Sequence, residues 1–325
     1  MRSGGASEPL LTAEMERRLA GLSFRMRHAM HSRILEQHRS RQAGSSIEFS
    51  EHKEYHPGDD LRRVNWKAYG RLDRFYIKQY VQETSAAAMI LLDTSGSMYT
   101  EGGDGIPKVR YAAGLAAALA YVLLHQGDKV GMIHAPGRAG VQRIEPHRHP
   151  AHYHRLLDSL GATARPGVDP DREDGGIPGA LREALRVADL ERWHDTTILL
   201  LSDFLFPFDE VITHLTRLGS RNNRAYLFHV IHPEEYAPRV DAGVPDWSQP
   251  TRDTFPYRDV CRFRSPETGA SVLADPRMVR REYLNRFTEF LDDLHARSAG
   301  AGVAHVPVST VEPADRFLVR YLRGG

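Results

Sequence analysis

Ala87-Ala88-Met89-Ile90-Leu91-Leu92-Asp93-Thr94-Ser95-Gly96-Ser97-Met98 is the stretch on which the reading of this chain turns. Its first six residues carry no polar side chain, and so short an apolar run reads as a strand buried on both faces. The run then breaks into a loop in which the oxygen-bearing side chains Asp93, Ser95 and Ser97 alternate with Thr94 and Gly96. An apolar strand delivering hard oxygen donors at its carboxyl end is the pattern of a ligand site in an open α/β sheet.

Outward from this loop the chain alternates strand and helix patterns. Further strands are predicted at Lys129 to His134, Val141 to Ile144, Thr196 to Ser202, Ala225 to Ile231 and Gly302 to Val308. Helices are predicted at 107–126, 150–160, 177–190, 208–219, 277–299 and 313–322, giving a doubly wound, mainly parallel α/β domain. The Pro-rich stretch 233–275 interrupts the rhythm and reads as an insertion with a hairpin around Ser265-Pro266-Glu267-Thr268-Gly269. Upstream, 46–85 reads as a small β-rich module with strands at Ser46 to Tyr55 and Phe75 to Val81. Residues 1–45 read as a helical segment in which Leu19, Leu22, Met26, Met30 and Ile34 recur at helical spacing. The expected organisation is therefore 1–45, 46–85 and 86–325.

A second carboxylate belongs with the first. Leu199-Leu200-Leu201-Ser202-Asp203 places Asp203 at the end of another buried strand, so that Asp93, Ser95, Ser97 and Asp203 are expected to share one site. Carboxylates and hydroxyls suit Mg²⁺, Mn²⁺ or Ca²⁺ and suit zinc poorly. His147, His149, His152 and His154 form a denser cluster, but they straddle Pro150 in a polar connector and read as a surface loop entering a helix.

Composition bounds the function class. Hydrophobic residues make up 41% and charged residues 26%, values of a folding globular chain. A formal net charge of +1 gives no global reason to expect nucleic acid or an anionic membrane as partner, and Arg17, Arg18, Arg25, Arg27, Arg33, Arg39 and Arg41 read as a solvated helix face. The single cysteine, Cys261, excludes an intrachain disulfide and fits a reducing compartment. No secretory leader is read at the N-terminus, and the longest apolar run, Tyr111 to Leu124, is short of the ~20 residues of a membrane span. The expected location is the cytoplasm.

With the loop and Asp203 in place, the chain resembles a von Willebrand factor A domain with its metal-ion-dependent adhesion site. Upstream, Ile47-Glu48-Phe49, Tyr55-His56-Pro57-Gly58-Asp59-Asp60-Leu61-Arg62 and Val64-Asn65-Trp66-Lys67 resemble the bacterial domain-of-unknown-function family 58. The resemblance implies six strands in the order 3-2-1-4-5-6. It further implies a Mg²⁺ or Mn²⁺ site formed by Asp93, Ser95, Ser97 and Asp203, and partner contacts from Thr94, Gly96, Gly176 and Ile177. Two positions depart from the family pattern: Asn65 stands where Asp is frequent before the tryptophan, and Ile177 stands where a metal-coordinating Thr is usual. Isoleucine offers no oxygen, so metal binding is expected to be weak.

Such a site leaves a coordination position for an acidic side chain of a partner. The resemblance thus implies a non-catalytic binding module or adaptor, acting with a MoxR-type AAA+ ATPase in assembly or maturation of other proteins and taking an acidic-residue-bearing client. The competing readings are a metal-dependent hydrolase and a metal-free scaffold. Against hydrolysis, Asp93-Thr94-Ser95 lacks the second Asp of an aspartyl-phosphate enzyme, and neither a Gly-x-Ser-x-Gly elbow nor a Gly-x-x-x-x-Gly-Lys-Ser/Thr loop is present.

Overall fold

The computed structural model describes residues 9–24, 47–54, 76–82, 87–102, 105–135, 140–164, 179–190, 193–219, 221–241, 244–251, 257, 259–266 and 269–323. The chain divides into two units, Met1–Arg25 with Ala86–Gly325, and Met26–Ser85. In the smaller unit, β1 (Ile47–Glu54) and β2 (Tyr76–Gln82) pair antiparallel, with a register shift between Phe49 and Glu51. The helix read through Trp66 lies outside the described residues.

The larger unit is built on a six-stranded sheet. Its strands are β3 (Ala87–Leu92), β4 (Lys129–His134), β5 (Gln142–His147), β6 (Thr196–Ser202), β7 (Arg224–Ile231) and β12 (Ala304–Ser309). They lie side by side as β12-β7-β6-β3-β4-β5, which is the order 3-2-1-4-5-6 when only these six are counted. All neighbours are parallel except β4 and β5. This is a von Willebrand factor A-like doubly wound fold.

Alternation along the buried strands sends side chains to two helical layers. Met89 and Leu91 of β3, with Ile198 and Leu200 of β6, pack with Leu181 and Leu185 of α4 (Gly179–Leu190), Val211 and Leu215 of α5 (Asp209–Gly219) and Leu294 of α6 (Pro276–Gly300). Each such aliphatic side chain, fully buried, contributes about 1.5–3 kcal/mol. The opposite layer holds α2 (Lys108–His125), whose Ala112, Ala113, Ala116, Ala117 and Ala120 are all buried. Alanine combines high helix propensity with a small cross-section, so this helix approaches its neighbours closely. Those neighbours include α3 (Ala151–Thr163), α7 (Ala314–Arg323) and α1 (Ala13–Leu19).

The N-terminal helix corrects one expectation. Thr12 caps α1 by accepting from the Met15 amide, and the helix stops at Leu19, with Gly21 in the left-handed region at φ +80°. Leu22 therefore does not continue the helical stripe. Leu11, Leu19 and Phe24 are buried in the α/β body, with Phe24 edge-on to Tyr226 at 5.1 Å, so this stretch is part of that domain and not of a separate helical segment. Met26, Met30 and Ile34 lie outside the described residues.

The insertion contains two hairpins, β8 (Pro238–Asp241) with β9 (Val244–Pro250), and β10 (Cys261–Arg264) with β11 (Ser271–Ala274). The second is the hairpin expected around Gly269, which sits at φ +72°. The first was not expected, because Pro238, Pro245 and Pro250 disfavour strand pairing except at edges.

Candidate functional site

The topology places the loop after β3 and the loop after β6 side by side. In the order 3-2-1-4-5-6 the connections diverge between the first and fourth strands, which are β3 and β6, and the crevice of a doubly wound sheet opens there. The two strands are in register to their ends, with Leu92 opposite Leu201. The Asp93 amide extends the ladder by donating to the Leu201 carbonyl at 3.0 Å.

Around that junction the expected residues converge. Asp93 Oδ1 accepts the Ser95 amide at 2.8 Å, and Asp93 Oδ2 accepts the Ser202 hydroxyl at 2.5 Å. Ser95 Oγ and Ser97 Oγ lie 3.2 Å apart, and a short 3₁₀ turn over Gly96–Tyr99 holds the loop closed. Asp203 Oδ1 accepts the Leu205 amide at 3.2 Å. Asp93, Thr94, Ser95, Gly96, Ser97 and Asp203 are all buried. Thr94 Oγ1 has no hydrogen-bond partner among the described residues. Gly176 and Ile177, the expected second loop, lie outside the described residues, as do Asn65 and Trp66.

One member of the site escaped the sequence reading. Lys108, the first residue of α2, is fully buried, and its Nζ lies 2.8 Å from Asp203 Oδ2 and 2.5 Å from Glu235 Oε1. The signal available was a lone lysine opening, two residues before Arg110, a mostly apolar helix, a position that reads equally well as a flanking charge. Glu235 in turn closes the turn after β7 by accepting the His232 amide at 3.1 Å.

The electrostatics follow from the burial. Desolvation raises the pKa of Asp93, and the nearby Asp203 carboxylate raises it further, although the hydrogen bonds from Ser202 and Ser95 work the other way. Burial disfavours the Lys108 charge, but Asp203 and Glu235 outweigh that and hold its pKa above the ordinary lysine value. Asp203 and Glu235 thus share a single ammonium, and Asp93, when ionised, adds a further negative charge beside Asp203. The backbone is also strained here: Phe204 sits at φ +54°, a left-handed conformation costing about 1–3 kcal/mol for a bulky residue. Its amide bonds Ser202 Oγ at 2.9 Å, and its ring is pinned edge-on to Phe208 and His229.

The donor chemistry fits a hard divalent cation. Asp93, Ser95, Ser97 and Asp203 offer carboxylate and hydroxyl oxygens and neither thiolate nor imidazole, with the Ser95 and Ser97 hydroxyls within hydrogen-bond distance of one another. Among the described residues no group of three His, Cys, Asp or Glu side chains converges as a metal site. In the histidine cluster, His147 and His149 accept backbone amides two residues on, at 3.1 and 3.2 Å, while His152 Nε2 bonds the Val130 carbonyl at 2.8 Å. These rings shape the turn into α3.

The fold is that of a von Willebrand factor A-like α/β protein, with a loop of acidic and hydroxyl-bearing residues at the end of its first sheet strand. More particularly, the chain belongs to the family described as Protein of unknown function DUF58, whose model matches residues 51–244. Uncharacterized proteins of Mycobacterium tuberculosis and Mycobacterium bovis are each 24% identical to it over 166 residues, covering 51% of this chain and 50% of theirs. The chain thus matches about half the length of those relatives. Among solved structures, the conserved hypothetical protein BatB from Bacteroides thetaiotaomicron is similar at 16% identity and TM-score 0.41, over 74% of this chain and 100% of that one. An aerotolerance-related membrane protein from Bacteroides fragilis is similar at 16% identity and TM-score 0.38, over 74% of this chain and 100% of that one. Among the described residues no helix is long and apolar enough to cross a membrane.

Proposed function

We propose that this chain is a non-catalytic protein-binding module whose contact point is the strand-end site of Asp93, Ser95, Ser97 and Asp203. The observation that supports the reading is the buried Asp93 and Asp203 pair at the sheet's switch point, facing fewer cations than carboxylates. Mg²⁺ or Mn²⁺ held by the Ser95 and Ser97 hydroxyls, with the two carboxylates behind, would supply the missing charge and a coordination position for a partner's acidic side chain. Nothing in this arrangement requires a reaction: Asp93 has both oxygens engaged by Ser95 and Ser202 and is not poised to activate water. With Ile177 in place of a hydroxyl-bearing residue, the site is a degenerate one and its metal affinity is weak.

By family resemblance the partner is a MoxR-type AAA+ ATPase, and the role is that of an adaptor in the cytoplasm for assembly or maturation of an acidic-residue-bearing client. The test is affinity capture by the full chain in Mg²⁺, in chelator, and with Asp93→Asn, followed by identification of bound proteins. Proteins retained by wild type in Mg²⁺ and lost in both other conditions support the adaptor reading. Identical capture under all three removes it, and steady hydrolysis of a phosphate or acyl ester that is lost in Asp93→Asn replaces it with the hydrolase reading.

A further inference from the structure

On the Glu235 side of Lys108 the domain opens into a concavity of about 660 Å³. Three parts of the α/β unit line it: Thr100–Gly102 leaving the adhesion loop, Glu234 and Glu235 after β7, and the insertion hairpin β10–β11 with the first turns of α6. Tyr257, Phe263 and Tyr283 give it aromatic walls, and Val272 and Val279 add aliphatic ones. Tyr257 and Phe263 pack edge to face at 5.2 Å.

The charge in this lining is one-sided. Glu101, Glu234, Glu235 and Glu282 contribute carboxylates, whereas the lining cations are Lys108 and Arg286. Both cations are already ion-paired, Lys108 with Asp203 and Glu235, and Arg286 with Glu282 at 2.8 Å. Aromatic faces beside a surplus of carboxylates attract a cation carried on an apolar body, through the ring quadrupole and through Coulomb attraction in a partly desolvated space. Apolar surface in this lining also stays open to water, Val272 being 61% and Val279 40% exposed. A small amine would leave that surface in water, and a polypeptide segment would cover it.

We propose that this pocket docks a basic, apolar segment of a partner protein, in which a Lys or Arg side chain enters among the carboxylates and its aliphatic or aromatic neighbours cover Val272 and Val279. The inference rests on the binding-module reading and adds a second contact of opposite charge preference. The adhesion loop selects an acidic group, the pocket selects a basic one, and Lys108 stands between them with one carboxylate on either side.

The experiment uses the full chain and fluorescent, end-capped heptapeptide pools with Leu or Phe on both sides of a central Lys, Arg, Gln or Glu, read by anisotropy. The Lys and Arg pools are expected to bind about tenfold tighter than the Glu pool, and Glu101→Gln with Glu234→Gln to erase most of that preference. Val272→Ser with Val279→Ser is expected to weaken all pools while the thermal melt changes little. Equal binding of the Lys and Glu pools, or a basic preference that survives the double Gln variant, overturns the proposal. Asp93→Asn separates the two readings. A basic preference that persists in Asp93→Asn while capture proves insensitive to Asp93 leaves the pocket standing without the adhesion site. Asp93-dependent capture with no basic preference removes the pocket alone.

Discussion

Lys108 Nζ lies 2.8 Å from Asp203 Oδ2 with both side chains buried, so the carboxylate at the end of β6 faces a cation that the chain itself supplies. A buried pair of this kind contributes little net stability over an apolar replacement of the whole pair, yet removing one partner strands the other. Lys108→Met leaves Asp203 and Glu235 without their ammonium and is expected to lower unfolding free energy by about 3–5 kcal/mol in urea titrations at pH 7.5. Lys108→Met with Asp203→Asn is expected to recover a large part of the loss. A single variant as stable as wild type would show that the ammonium and carboxylate do not depend on each other.

Stability is expected to fall on mild acidification through the buried histidines. His134 is held between Thr163 Oγ1 and Ser159 Oγ, both at 2.7 Å, and burial lowers its pKa to about 4. Its folded pKa is depressed, so above the ordinary value near 6.5 neither state gains a proton and the term vanishes. Between about 6.5 and 4 the unfolded chain takes up a proton that the folded chain refuses, costing about 2 kcal/mol at pH 5. His305, also lowered to about 4 by burial and by His295, adds in the same direction. Urea midpoints at pH 7 and pH 5 measure the drop, and His134→Gln is expected to shrink it. A raised Asp93 pKa acts with the opposite sign, so the comparison is made between variant and wild type and not from the raw slope.

Gly131 is fixed by sterics. It lies in β4 where the pairing with β5 slips between Val130 and Met132, and a Cβ there would sit 2.5 Å from Met89 Sδ, 2.7 Å from the Ile144 carbonyl oxygen and 2.9 Å from the Pro146 nitrogen. Two of these neighbours are backbone and cannot swing aside. Gly131→Ala is expected to cost about 1–3 kcal/mol by thermal or urea denaturation, and an unchanged midpoint would show that the edge strand yields freely.

The departure at Ile177 gives a test in the gain direction. Mg²⁺ prefers six oxygens in near-octahedral geometry, so a hydroxyl brought to the site tightens binding. Ile177→Thr is expected to bind Mg²⁺ or Mn²⁺ more tightly in calorimetry, with the gain abolished by Asp93→Ala in the same background. Unchanged affinity in a folded variant would mean that this loop does not face the site.

Much of this was legible because buried parallel strands are short, apolar and punctuated. Ala87–Leu92, Lys129–His134 and Thr196–Ser202 were read to the residue, since each ends where a polar loop begins. Asp93 and Asp203 could be joined because strand ends in a doubly wound sheet share one side. The β8–β9 hairpin was hidden by prolines that an edge position tolerates. The helix continuing past Leu19 was overcalled because periodicity does not register the left-handed Gly21. Lys108 was missed for a different reason: a helix-opening lysine is ordinarily solvated, and Asp203 together with the turn bearing Glu235, 127 residues away, makes it a buried counter-ion.

The central claim is that Asp93 and Asp203 belong to an anionic site with more carboxylates than cations, and the melting temperature of the full chain at pH 8 during titration with Mn²⁺ tests it most directly. Wild type is expected to rise with Mn²⁺ as the bound ion offsets the buried charge, by the mass-action term RT ln(1 + [L]/Kd). Asp93→Asn, in which one charge is already gone, is expected to start no lower than wild type at this pH and to show no such rise. Equal rises in both proteins, or a wild type that is insensitive to Mn²⁺ while Asp93→Asn is strongly destabilised, would contradict the account.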